Sequence, residues 1–224
     1  MITRIVKIKE LQENLQLLVE TLIKQCSLIE DLLENGWIDS NHKLFLENED
    51  RINSLVVTIR QKLSEIIILF SPRGKELRKI LFSHEVIIYM ELMGNLFCEI
   101  VSAIENSDPK LKDYSDYKDY IAAFIKSFDQ AKDIVQKAYY SFYSEDVELA
   151  KRIIRDNQLD QIAERKNNTL NIILSDFEEI PLKKEELVNI MAFDKIFLSL
   201  EKTTRLAVYI AKSTIFAIES SDIE

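Results

Sequence analysis

The stretch Lys75–Ile104, KELRKILFSHEVIIYMELMGNLFCEIVSAI, decides the fold of this chain. It contains no proline, and it carries Glu91 inside a largely apolar surface. A similar pattern returns 110 residues later in Glu185–Thr214, EELVNIMAFDKIFLSLEKTTRLAVYIAKST, where Glu201 stands in the place of Glu91. A match at a fixed spacing, without gaps, indicates an internal repeat. We therefore expect a duplicated helical unit.

The composition favours an all-α protein. Only three glycines and three prolines occur in 224 residues, so turns are few and the elements between them are long. Apolar residues recur at steps of three and four, the pattern of amphipathic helices. Six long helices are predicted, at about Ile5–Leu33, Asp39–Phe70, Lys75–Ile104, Asp113–Phe142, from after Asp146 to Leu174, and Lys183–Ala217.

Short links between long helices favour antiparallel bundles. The predicted fold is therefore two tandem antiparallel three-helix bundles, with a first repeat at residues 1–108 and a second at 109–224. Six of the eight tyrosines lie between Tyr114 and Tyr143, on and around the fourth predicted helix. They could form a stacking or recognition surface, but the more common arrangement, which we expect, is packing in the core with the hydroxyl groups at the surface. A homodimer through an exposed apolar stripe is a further expectation.

Charge and motifs exclude several classes of function. The net charge of −9 disfavours binding to nucleic acid or to anionic lipid. Cys26 and Cys98 are isolated, as are the two histidines, so a structural zinc site is not expected. No phosphate-binding glycine loop or nucleophile motif is present, and we expect no enzyme. The absence of a signal-peptide core or a long apolar run predicts a cytoplasmic protein, peripheral to the membrane only through a partner.

Acidic residues at helical spacing are the candidate site. Carboxylates one turn apart on neighbouring helices can hold a hard cation or a metal cluster, although most such residues are solvated surface groups. For Glu91 and Glu201 the surface interpretation is weaker, because apolar residues flank them, and both interpretations stay open. The candidate ligands are Glu49, Glu91, Asn95 and Glu99 in the first repeat and Asp156, Asp160 and Glu201 in the second.

Three segments carry a resemblance to a known family. The segments ENEDRINSL, SPRGKELRKI and ELMGNLFCEI resemble the PhoU family of phosphate-uptake regulators, with its acidic second helix, its Pro-x-x-x-x-Leu-Arg turn and its ExxGDxxxN-type signature. The matching residues are Pro72, Leu77, Arg78, Glu91 and Gly94 in the first repeat and Leu187, Ile190 and Glu201 in the second.

The resemblance implies a cytoplasmic regulator that contacts a phosphate transporter or its sensor kinase. Two alternatives remain, an accessory protein of another transporter and a metal-binding bundle. The family implies iron or zinc clusters on its acidic motifs, but the motif Asp is Asn95 in one copy and Arg205 in the other. We expect at most weak iron or zinc binding at the first repeat. In the second, we hypothesise that Arg205 has replaced the metal by pairing with Glu201, Asp156 or Asp160.

Overall fold

The computed structural model describes residues 4–35, 39–106, 118–156, 158–175 and 184–219. Within these ranges the chain forms seven helices and no strand, which confirms the predicted all-α class. The helices are α1 (Arg4–Asn35), α2 (Asp39–Phe70), α3 (Lys75–Glu105), α4 (Lys118–Ser144), α5 (Val147–Arg155), α6 (Gln158–Ser175) and α7 (Lys184–Glu219).

The first three helices and the last one follow the predicted bounds closely. The turn Ser71-Pro72-Arg73-Gly74 separates α2 from α3, as predicted. Gly74 has a φ of 56°, a backbone conformation that residues with a Cβ atom rarely adopt. Proline cannot continue the helical hydrogen bonds, so this turn ends α2 at Phe70.

The predicted fifth helix is divided into two. Asp146 caps α5 by accepting a hydrogen bond from the backbone N–H of Leu149 at 2.9 Å. The helix ends at Arg155, and the N–H of Asp156 bonds to the carbonyl oxygen of Arg152. Aspartate and asparagine are poor helix formers because their side chains compete for backbone groups, and Asp156-Asn157 follows directly. The sequence did not predict this break, because apolar residues recur at helical spacing on both sides of it.

The helices of each half contact one another, and two further contacts join the halves. In the first half α1, α2 and α3 pack together, and in the second α7 contacts α4, α5 and α6. The halves meet where α3 packs on α7 and where α1 packs on α4. One continuous hydrophobic core results, with Leu18, Ile59, Phe97, Phe128 and Phe197 among its members. The predicted division at residues 108/109 lies outside the described residues and stays a prediction.

The packing of α3 on α7 is antiparallel. Phe82 near the start of α3 meets Phe216 near the end of α7, with ring centroids 5.0 Å apart. Further along, Tyr89 lies against Tyr209 at 5.8 Å. In the part of the chain described, α3 alone has the length and hydropathy of a membrane span, but half of its most apolar window is buried. Its contacts with α1, α2 and α7 are those of a core helix.

The tyrosines of α4 do not fill the core as predicted. Tyr140 is 58% exposed and Tyr143 is 43% exposed, while Phe124 and Phe128 occupy the buried positions. Tyr139 is half-buried. The three tyrosines from Tyr114 to Tyr120 have no described side chains. Phenylalanine has no hydroxyl group to satisfy, so it takes the fully enclosed places on this helix.

Truncation of Phe124 should destabilise the second half strongly. Its ring packs on Phe193 and Phe197, with centroids 5.1 and 4.6 Å away. The variant Phe124→Ala should lower the free energy of unfolding in urea by about 3–5 kcal/mol, because a cavity replaces the ring. The exposed control Tyr140→Ala should change it by no more than about 0.5 kcal/mol. Equal losses in the two variants would contradict the assigned core.

Candidate functional site

Glu49 lies at the seam between α2 and α3. Its carboxylate accepts a hydrogen bond from Gln25 Nε2 on α1 at 2.9 Å and a longer one from Asn53 Nδ2 at 3.4 Å. Gly94 makes the close approach of α3 feasible, since a Cβ atom there would stand 3.3 Å from Glu49 Oε2. The predicted site residue Glu49 is therefore held by neutral groups of its own bundle.

Cys98 is the third group around this carboxylate. Its thiol donates a hydrogen bond to Glu49, and the pKa of Cys98 is raised to about 12 by burial and by the negative charge of Glu49. A thiol with such a pKa keeps its proton at neutral pH and is a weak nucleophile. Cys98 therefore serves here as a hydrogen-bond donor.

Glu91 faces a different partner. Arg60 of α2 places Nη2 at 2.7 Å from Glu91 Oε2. Both side chains are partly exposed, 40% for Arg60 and 31% for Glu91. Pairs of this kind contribute about 0–1 kcal/mol, so the contact orients the carboxylate more than it stabilises the fold. The partial burial expected for Glu91 is thus compensated by a permanent cation.

The remaining candidates are not brought together. Asn95 and Glu99 are exposed on α3. Asp156 is exposed at the end of α5, and the side chain of Asp160 lies outside those described. Among the described residues, no group of three or more His, Cys, Asp or Glu side chains is close enough to hold a metal ion.

In the second half Arg205 pairs with Glu201. Arg205 Nη2 lies 2.8 Å from Glu201 Oε1, one helical turn away on α7. Glu201 is 20% exposed and Arg205 is 53% exposed. The ion pair that the replacement hypothesis requires is therefore present, on one of the three carboxylates named. That it took the place of a metal stays a hypothesis.

The metal cluster that the family implies does not fit these residues. Glu49 already accepts hydrogen bonds from three donors, and Glu91 and Glu201 each face a guanidinium group. A cation at any of these carboxylates would have to displace those donors or share the carboxylate with an arginine. The described residues thus provide neutralised carboxylates and no ligand set.

Sequence reasoning missed Gln25 and Arg60. Gln25 is fully buried within the apolar stripe of α1, and such a polar residue needs a partner. Arg60 follows Glu49 by eleven residues, about three turns, which places both on the face of α2 toward α3. Both signals were available in the sequence, but the partner of each lies on another helix.

Comparison with known proteins shows which family this chain resembles. A family model described as the PhoU domain matches residues 124–214. The phosphate-specific transport system accessory protein PhoU homolog 1 of Thermotoga maritima is 28% identical over 124 residues. That alignment covers 54% of this chain and 50% of the relative, so the match spans half of the relative's length.

Two crystal structures share the fold over nearly the whole chain. PhoU from Pseudomonas aeruginosa has a TM-score of 0.82 at 16% identity, over 98% of this chain and 100% of its own. The phosphate transport system regulatory protein PhoU from Streptococcus pneumoniae has a TM-score of 0.82 at 14% identity, over 99% and 100%. The chain thus has an all-helical bundle fold similar to that of these two PhoU structures. Its predicted resemblance to the PhoU family is confirmed, and it carries a PhoU domain at residues 124–214.

Removing the charge of Glu49 should make Cys98 more reactive. In Glu49→Gln the pKa of Cys98 should fall, because the negative charge and the acceptor that favour the protonated thiol are both lost. Alkylation by iodoacetamide at about pH 8 should then be several-fold faster than in the parent. Glu99→Gln, beside Cys98 in sequence but exposed, is the control and should leave the rate unchanged. Equal rates in all three proteins would show that Glu49 does not control the thiol.

Metal content tests the fit of the acidic residues directly. Protein purified without chelator should hold far less than one iron or zinc ion per chain by elemental mass spectrometry, because arginines and neutral donors already satisfy the carboxylates. A zinc protein purified in parallel controls for losses. Stoichiometric metal that disappears in Glu49→Gln would contradict this prediction.

Proposed function

We propose that this chain is a cytoplasmic regulator of phosphate uptake and of phosphate-starvation signalling. It acts by protein–protein contact with a phosphate transporter or with the kinase that senses transport, and not by catalysis. The observation that carries the proposal is the agreement of two independent signals. A PhoU domain matches by sequence in the second half, and the PhoU fold matches over almost the whole chain.

The names of the relatives supply the biological setting. The Thermotoga maritima relative is named as an accessory protein of a phosphate-specific transport system, and the Streptococcus pneumoniae protein as a regulatory protein of phosphate transport. These names describe regulation and attach no reaction to the fold. Because a fold alone does not define a function, the domain match carries more weight than the structural likeness.

The exposed face of α7 supports action by contact. Leu187, Met191 and Leu198 are 49%, 64% and 36% exposed. Their spacing of four and seven residues places them on one side of the helix. Apolar side chains grouped in this way on a surface are typical of protein-interaction sites. We place the contact with the transporter or kinase on this face, here called the α7 stripe and defined by these three residues.

Deletion of the gene tests the proposal as a whole. Cells without the protein should show altered uptake of radiolabelled phosphate and altered expression from a phosphate-starvation promoter. Unchanged uptake together with unchanged expression would overturn the proposal. Altered transport of a different solute, with phosphate uptake normal, would favour the alternative of an accessory protein for another transporter.

Complementation tests the α7 stripe separately. Met191→Glu should fail to restore regulation although the protein remains folded, because a charge in a contact patch must be desolvated on binding. The control Val57→Glu places the same charge at a 54% exposed apolar position on α2, outside the stripe, and should restore regulation. Restoration by both variants would remove the α7 stripe from the proposal and leave the proposed function standing.

A further inference from the structure

A cavity of about 380 Å³ lies where α1, α3 and α4 meet the end of α2. Its walls are mostly apolar and include Ile8, Leu11, Leu15, Ile66, Ile80 and Phe142. Pockets that hold small organic molecules span roughly 300–1,000 Å³ and combine apolar walls with a few placed polar groups. Neither Glu91 nor Glu201 lines this cavity, so it is separate from both acidic motifs.

The polar lining of the cavity includes two lysines and two glutamates. Lys75 Nζ lies 2.6 Å and Lys79 Nζ 2.8 Å from the two oxygens of Glu145, so two ammonium groups share one carboxylate. These contacts lower the pKa of Glu145 and keep it ionised. The other acid in the lining, Glu76, is already paired with Arg4. The lining groups alone balance in charge, and one positive charge is in excess when Arg4, outside the lining, is counted with them.

The opening of the cavity is marked by its exposed lining residues. Lys75 and Tyr143 are exposed, while Lys79 and Glu145 are half-buried. Tyr139 also lines the cavity, but its hydroxyl oxygen is buried and adds no accessible donor to it.

We propose that this cavity binds an amphipathic carboxylate, an unbranched alkyl chain with an anionic head. The alkyl chain lies along Leu11, Leu15 and Phe142, where it removes apolar surface from water. The carboxylate sits beside Glu145 and receives charge-assisted hydrogen bonds from Lys75 and Lys79. The contacts with Glu145 show that both lysines can donate hydrogen bonds to carboxylate oxygens. The size of the cavity favours a medium-length chain over a long one.

The position of the cavity gives binding a structural consequence. Its lining comes from α1, α2 and α3 of the first half and from α4 and the α4–α5 turn of the second. A molecule that contacts both halves stabilises their packing, because it binds only the folded arrangement. This ligand site goes beyond the proposed function and does not depend on it.

Calorimetric titration with decanoate, below its micelle concentration, tests the proposal on the full chain. Binding should saturate near one decanoate per chain and should raise the unfolding temperature. Decanol has the same alkyl chain without the charge and should bind about tenfold more weakly or not at all. Hexadecanoate should bind more weakly than decanoate, because its chain exceeds the cavity.

Matched variants separate the cavity from other surfaces. Gln12→Trp fills the half-buried lip of the cavity and should abolish binding, whereas Gln16→Trp, one turn further along α1 and outside the lining, should retain it. The double variant Lys75→Met/Lys79→Met should weaken binding about tenfold. Lys137→Met, which removes a lysine paired with Asp133 at 2.6 Å outside the lining, should not.

Four results would overturn the proposal. They are the absence of saturable binding, equal binding by the two Trp variants, equal affinity for decanol and decanoate, and loss of the helical circular-dichroism signal when decanoate is added. The last result would show that decanoate acts as a detergent. Circular dichroism of each variant before titration confirms that all of them are folded.

Discussion

The antiparallel packing of α3 on α7 is the contact on which the rest of the molecule depends. Phe82 against Phe216 and Tyr89 against Tyr209 fix the register of the two helices. Ser213 Oγ adds a hydrogen bond to Glu85 at 3.3 Å between them. Each half of the chain by itself could enclose only a narrow core. Joining them along their two most apolar helices merges both into one core, in which burial of apolar surface is the dominant stabilising term.

The same packing limits what the acidic residues can do. α3 and α7 turn their apolar sides toward their neighbours, so the carboxylates of the repeated motif stand at the edges of the seams. Each carboxylate has a different kind of partner: Glu49 has neutral hydrogen-bond donors, Glu91 has an arginine of α2, and Glu201 has an arginine of its own helix. A partly buried carboxylate needs a hydrogen-bonding or charged partner. In this fold a single substitution nearby can change which residue supplies that partner. That freedom explains how the two copies can keep the Glu and differ around it.

The sequence predicted the helices better than the contacts between them. Periodicity located α1, α2, α3 and α7 because their apolar stripes continue without interruption. It joined α5 to α6, since a break of two residues leaves the stripe on either side intact. The pairing of Glu201 with Arg205 could be predicted from the sequence, because both residues lie one turn apart on one helix. Gln25 with Glu49, and Arg60 with Glu91, depend on the rotation and depth of helices far apart in the chain. A single sequence does not encode that geometry in any local pattern.

The two halves of the chain match the family pattern in different ways. Pro72, Leu77, Arg78, Glu91 and Gly94 resemble the family signature in the first copy, yet the PhoU domain model matches residues 124–214 in the second. Motif residues near a seam can change with the side chains beside them. A domain model instead depends on the apolar positions of several helices together. Those positions are constrained on every side by a shared, close-packed core, where a change of one methylene is felt. The packing pattern therefore persists in the half that has an arginine, Arg205, within its acidic motif.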